Sequence, residues 1–215
     1  MRHMQYKTKT LAKQLITGFL ILIFSFLFGG GYAIYSLKSE SRSDGFAMQI
    51  GSWRVNPKMD LNNRYERALI SLIALFALRE SEVLYFLANQ DSEGRPLESK
   101  YDYELEGSII DARYWSYTLY GHDYFLVKND KDKFGFNLDN IAFENDSTSN
   151  LEVFIKEQKK HKLIISSNEK AGNWLPSGNE NQFYIVLRMY NPSREVYEHL
   201  ETLELPLIKR IDKIR

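Results

Sequence analysis

Residues 15–37, LITGFLILIFSFLFGGGYAIYSL, run for 23 positions without a charged side chain. A helix of about 20 apolar residues crosses a hydrocarbon core roughly 30 Å thick, so this stretch is long enough to span a bilayer with some tilt. Arg2, Lys7, Lys9 and Lys13 precede it with no acid among them, while the far side opens with the mixed KSESRSD. Positive charge is retained on the cytoplasmic side of a membrane. The expected organisation is therefore a basic cytoplasmic tail at 1–14 and one transmembrane anchor at 15–37 in the inner (cytoplasmic) membrane. Residues 38–215 would then be periplasmic or extracellular. A cleaved signal peptide is the alternative, with an n-region at 1–14, an h-region at 15–28 and small residues around Gly31 and Ala33 for cleavage. Apolar character continues through Ile34, Tyr35 and Leu37, which favours the uncleaved anchor, and either reading exports the same domain. A second apolar run, Ala68 to Leu78, has 11 residues between Arg67 and Arg79. That is too short to span a membrane and predicts a buried helix.

Net charge is zero over the whole chain, but the two parts differ. Four of the 28 basic residues and none of the 28 acids lie in 1–37, so residues 38–215 carry 24 cations against 28 anions, a net charge of −4. A mildly acidic body is a poor match for nucleic acid, which selects basic surfaces. There is no cysteine, which excludes disulfides, thiol nucleophiles and zinc–thiolate sites.

Residues 38–60 are polar and contain Gly45, Gly51 and Pro57, the composition of a linker and domain entry, with the folded domain expected over 61–215. A helix is predicted near 61–78, capped by Asp60 or Asn62, with Tyr65, Leu69, Leu72, Ile73 and Phe76 on one face. Beyond it the period changes to that of strands. VLYFLA (83–88) is apolar on both faces and reads as a central strand. YDYELE (101–106) alternates, placing Tyr101, Tyr103 and Leu105 inward and Asp102, Glu104 and Glu106 outward. Further strands are expected at ARYWSYTLYG, DYFLV, FGFNL, LEVFI, KLIIS and QFYIVLRMY. Short strands separated by Gly, Asn and Asp turns predict a mainly β, antiparallel sandwich.

Several segments, in order, carry a family resemblance: GSWRVNP (51–57), SEVLYFLANQDSEGRPL (81–97), ARYWSYTLYGHDYFLVKND (112–130), GNWLPS (172–177) and FYIVLRMYNPS (183–193). Together they resemble the family termed domain of unknown function 1214, in its membrane-anchored single-domain branch. The resemblance implies a jelly-roll-like β-sandwich and no particular activity.

Motifs for chemistry are sparse. No Gly-x-Ser-x-Gly elbow and no glycine-rich phosphate loop occurs. His3, His122, His161 and His199 have no metal-ligand spacing, so neither a metal nor a cofactor is expected, and no catalytic residue is assigned. His122 reads as a solvated turn residue. Asp102, Glu104 and Glu106 lie about 6–7 Å apart at i, i+2 spacing, near the separation used in glycoside hydrolysis, but they also read as the wet face of one strand.

Candidate ligand-binding residues come from the aromatic and arginine patterns. In ARYWSYTLYG, Trp115, Tyr117 and Leu119 alternate with Tyr114, Ser116, Thr118 and Tyr120, so one face is a stacking platform or both serve a sandwich, with core the favoured role for the large aromatics. In QFYIVLRMY, Phe183, Ile185, Leu187 and Met189 point to the core and Arg188 lies on the opposite face with Tyr190. An Arg there is a strut for an acid such as Asp91 or Asp111, the favoured reading, or an anion clamp. The candidates are thus Arg188, Tyr190, Trp115, Tyr120, Trp174 and Asp91. Two function classes follow: a non-enzymatic binding or assembly module of the cell envelope, with an envelope protein or glycan as partner, and a glycan-directed envelope hydrolase.

The charge asymmetry predicts an N-in, C-out chain. A reporter enzyme active only in the cytoplasm, fused after Arg215, is expected to be silent, and activity there would overturn the topology.

Overall fold

The computed structural model describes residues 2–42, 48–57, 82–108, 110–144 and 159–211. The chain divides into two compact units, Met1–Gly45 and Phe46–Arg215. The first is helix α1 (Arg2–Arg42). Within it, Lys13–Tyr35 is apolar and long enough to cross a membrane, and none of that window is buried by protein. The predicted helix near 61–78 and the predicted strand LEVFI (151–155) lie outside the described residues.

The second unit is mostly β. Its strands are β1 (Met48–Ile50), β2 (Trp53–Val55), β3 (Val83–Ala88), β4 (Asp102–Ser108), β5 (Ala112–Gly121), β6 (Gly135–Asn137), β7 (Lys160–Ser166), β8 (Trp174–Pro176), β9 (Phe183–Pro192) and β10 (Leu207–Ile211). They form a six-stranded sheet in the order β1-β2-β3-β9-β5-β6 and a four-stranded sheet in the order β10-β4-β7-β8. All pairings are antiparallel except β7 with β8. A jelly roll distributes eight strands over two sheets by two Greek keys. Among the described residues the sheets hold six and four strands and the smaller is mixed, so the architecture described is a two-sheet β fold.

Alternation explains the strands that matter most. In β9, Phe183, Ile185, Leu187 and Met189 are buried on one face, and in β5 Trp115, Tyr117 and Leu119 face the same way. β3, apolar throughout, lies between β2 and β9 as a central strand should. Across the core, the Tyr103 ring of β4 meets Phe183 of β9 edge-on at 5.8 Å. Trp53 anchors β2 through Nε1 donating to the Pro206 carbonyl at 2.7 Å.

Three expectations are corrected. The stretch read as linker contributes β1 and β2, which become strands by pairing with each other and with β3. DYFLV is a turn rather than a strand: Phe125 N donates to Asp123 Oδ1 at 3.0 Å, and Tyr124 adopts φ 63°. Asp102 is buried rather than wet. The end of β7 and the turn after it cover the carboxylate, with Ser166 Oγ donating to its Oδ1 at 2.7 Å and Lys170 Nζ 2.9 Å from its Oδ2. Glu104 and Glu106 keep the half-exposed positions expected of them.

One polar contact joins the two sheets inside the core. His161 of β7 is 0% exposed, and its Nε2 lies 2.9 Å from the Tyr117 hydroxyl of β5. Its ring stacks on Trp115 at 5.1 Å, while Nδ1 has no hydrogen-bond partner. Burial depresses the imidazole pKa to about 4 and drives the Tyr117 phenol upward, so both are neutral across ordinary pH. An unfolded histidine titrates near 6.5. As pH falls below that value the unfolded chain takes up a proton that the folded chain refuses until about 4. The stabilisation is therefore intact above pH 6.5 and lost progressively toward pH 4, by about 2 kcal/mol between pH 7 and pH 5. In His161→Phe this increment is expected to vanish. Urea unfolding of both proteins at pH 7 and pH 5 measures it, and an unchanged pH dependence in the variant would refute the assignment.

Candidate functional site

The face of the six-stranded sheet turned away from the core collects residues whose strand neighbours point inward. Register places Tyr85, Arg188, Ser116 and Asn137 in one row across β3, β9, β5 and β6. Arg54, Leu87, Val186 and Thr118 form the next, and Tyr184 with Tyr120 a third. On the other side of Arg188, Tyr190 pairs with Tyr114, their rings 5.7 Å apart. The result is a partly exposed band of tyrosines around two arginines.

Arg188 is held by neutral groups. Its Nη1 donates to Thr118 Oγ1 at 3.0 Å and its Nη2 to the Tyr120 hydroxyl at 2.6 Å. The guanidinium also stands 5.9 Å from the centroid of Tyr85 and 5.4 Å from that of Tyr120. No acid pairs with it among the described residues, and its two bonds use two of the five N–H groups of the fork. The favoured expectation of an acid-paired strut is thus corrected. Asp91 lies elsewhere, in the turn after β3, where it accepts from the backbone of Glu93 and Arg95 and from Arg95 Nε at 2.7 Å. Arg210 Nε lies 3.7 Å from it. Burial works against the Asp91 charge, but the Arg95 and Glu93 hydrogen bonds and the Arg95 cation outweigh it and hold the carboxyl below its ordinary range. Asp91 is a strut, with other arginines as its partners.

Of the six residues expected to bind ligand, Arg188, Tyr120 and Tyr190 share this face. Trp115 does not: its ring is 0% exposed in the core against His161. Trp174 belongs to β8 of the other sheet, where its Nε1 donates to the Ser166 carbonyl at 3.0 Å. Tyr85 and Arg54 were not anticipated. Tyr85 was hidden inside an apolar run, and Arg54 inside a stretch too short to display alternation. His161 was also passed over, although extending KLIIS backwards to KHKLIIS puts it in phase with Leu163 and Ile165.

The family described as "Protein of unknown function (DUF1214)" matches residues 82–194, just over half of the chain. The chain belongs to this family. The DUF1214 match includes β3 through β9, and hence every strand of the Arg188 face except β1 and β2. No curated protein matches the chain. Among solved structures, the VPA0106 protein from Vibrio parahaemolyticus is similar with a TM-score of 0.52 and 24% identity, over 70% of this chain and 36% of that one. At that identity the likeness shows the fold alone. An uncharacterized protein from Burkholderia cenocepacia has a TM-score of 0.41 and 14% identity over 66% of this chain and 32% of its own. The chain therefore spans about a third of the length of these two solved chains.

The contrast between the two charged groups gives a paired test. Arg188→Met removes two partly exposed bonds to hydroxyls that water can then satisfy, at an expected cost of about 1 kcal/mol or less. Asp91→Leu leaves Arg210 without its anion, Arg95 with only Glu93, and two backbone N–H groups unmet, at about 3–5 kcal/mol. Thermal melts of the two variants are expected to differ accordingly, with a small shift for Arg188→Met and a drop of roughly 10 °C or more for Asp91→Leu. A large drop for Arg188→Met would restore the strut.

Proposed function

We propose that this DUF1214 protein is a membrane-tethered binding module of the cell envelope. In this reading Lys13–Tyr35 anchors it in the inner membrane with the N-terminus cytoplasmic, and the β unit lies in the periplasm or an equivalent exterior space. Its ligand is an anionic glycan held on the outer face of the six-stranded sheet. One observation carries this: Arg188 is oriented by Thr118 and Tyr120 yet has no acid partner among the described residues. A guanidinium positioned by neutral hydroxyls keeps its charge for an incoming anion, and its fork matches a carboxylate or phosphate. Tyr85 and Tyr120 stand 5.9 and 5.4 Å from it and Tyr190 lies two positions along β9, aromatic rings of the kind on which sugars stack.

The hydrolase alternative has less support. It requires one carboxyl kept protonated beside a second that stays charged. Lys209, hydrogen-bonded to Glu106 at 2.7 Å, holds that carboxyl below its ordinary range, and Lys100 pairs with Glu98 at 3.0 Å. Glu106 is thereby stabilised as an anion.

Titration of the full chain, reconstituted in phospholipid nanodiscs, with trigalacturonic acid tests the proposal, because that probe carries both carboxylates and stacking rings. Saturable binding is expected, weakened about tenfold or more in Arg188→Met and abolished when the probe is methyl-esterified. Equal affinity for the esterified probe, or for the variant, would overturn the reading.

A further inference from the structure

A cleft of about 650 Å³ opens where the turn before β4 meets the turn before β9, and its lining includes Glu98, Lys100, His122, Asn179, Glu180 and Gln182. Its size is in the usual range for small-molecule sites, but its chemistry is not the usual apolar one. Every lining residue has a polar side chain, so the cleft suits an apolar ligand poorly. Anions are disfavoured as well. Glu98 and Lys100 neutralise each other at 3.0 Å, which leaves Glu180 as the further carboxylate of the lining. Among the described residues no group of three or more His, Asp or Glu side chains converges to hold a metal ion. What matches a mixture of side-chain amides and carboxylates is a neutral ligand rich in hydroxyls, since each hydroxyl both donates and accepts.

The cleft is built rather than incidental. Ser99 ties the two turns together: its Oγ donates to the Ser177 carbonyl at 2.6 Å and accepts from Glu180 N at 3.2 Å, and its own N donates to the Glu180 carbonyl at 3.3 Å. Phe183 N donates to the Leu97 carbonyl at 3.1 Å just behind. Gly178, at φ 60°, passes so close to Lys128 that a Cβ would stand 2.7 Å from its carbonyl oxygen. Gly121 leaves space for the Glu180 carboxylate, which would lie 3.3 Å from a Cβ there.

A second, independent feature stands at the rim. The ring of His122, which lines the cleft, lies 6.4 Å from that of Tyr184, and Tyr184 stacks on Tyr124 at 5.5 Å with 10° between planes. Tyr124 is 38% exposed and occupies the left-handed region at φ 63°. A bulky residue there is uncommon and the conformation costs energy, so the surrounding turn must enforce it. It does so through Tyr124 N donating to the Gly121 carbonyl at 3.0 Å and Gly121 N to the Phe125 carbonyl at 2.8 Å. The strained turn presents an aromatic face beside a hydroxyl-matching cleft.

The geometry points to this cleft as a second ligand position, separate from the Arg188 guanidinium and meeting its face only at Tyr184, that takes a neutral saccharide about two rings long. Asn179, Glu180 and Gln182 bond its hydroxyls and the Tyr124–Tyr184 pair stacks on a ring. Saturation-transfer NMR on the full chain in phospholipid nanodiscs, with N,N′-diacetylchitobiose at millimolar concentration, tests it. Transfer to the sugar ring protons is expected, lost in Tyr124→Ala and weakened about tenfold or more in Glu180→Ala and Gln182→Ala. Thermal melts of the variants identify any that fail to fold, and Arg188→Met is expected to bind chitobiose as the parent does. Absence of transfer in the parent would overturn the proposal, as would transfer that survives both Glu180→Ala and Gln182→Ala. Release of free monosaccharide would overturn it too, since the cleft would then perform chemistry.

Discussion

Everything in the β unit hangs on the two-sided alternation of β9. One face of this strand places Phe183, Ile185, Leu187 and Met189 in the core, while the other presents Tyr184, Val186, Arg188 and Tyr190. Because β9 pairs with β3 on one side and β5 on the other, its phase is imposed on the whole sheet. A slip of one residue would carry Arg188 inward and Leu187 outward, reversing core and site together. The aliphatic set therefore stabilises the register that positions the guanidinium. Packing and the candidate site are two consequences of one strand.

That coupling explains how much could be read from the residues alone. The bounds of β5 were legible because ten residues of alternating size carry a clear period. The side of the sheet on which Arg188 lies was legible for the same reason. Its partners were not, since Thr118 and Tyr120 become neighbours only when β5 docks beside β9, a pairing that no local pattern specifies. The same limit hid Asp102, whose phase points outward and whose burial depends on a turn arriving from β7. β1 and β2 are three residues each, too short for a period to emerge, and owe their form to β3. The DYFLV turn was misread because its apolar residues suggested a strand, whereas the Asp123 side chain redirects the backbone.

The buried polar groups fall into two kinds with different consequences. Asp91 is satisfied by arginines and backbone N–H groups and Asp102 by a lysine and a serine hydroxyl, and both pin turns onto the sheets. His161 is different, because one ring nitrogen bonds Tyr117 and the other has no partner. A half-satisfied polar group in a core costs stability relative to an apolar one of the same shape, but it also discriminates against alternative packings of the two sheets. Aliphatic side chains alone would tolerate a slide of one sheet over the other better than a directional contact between β5 and β7 does.

The position of β10 sets the order in which this unit can assemble. Although β10 comes last among the described strands, it lies at the edge of the smaller sheet against β4, and Ile208 exchanges hydrogen bonds with Ser92 through N to Oγ and O to N. The Pro206 carbonyl just before it receives the indole N–H of Trp53, 153 residues earlier. Contacts of such sequence separation make loop closure entropically expensive and folding slow. A chain emerging N-terminus first therefore has Trp53 and β4 in place long before anything can close over them. The contacts that β10 and Pro206 make with β4, Ser92 and Trp53 can therefore form only after most of the described strands have been made.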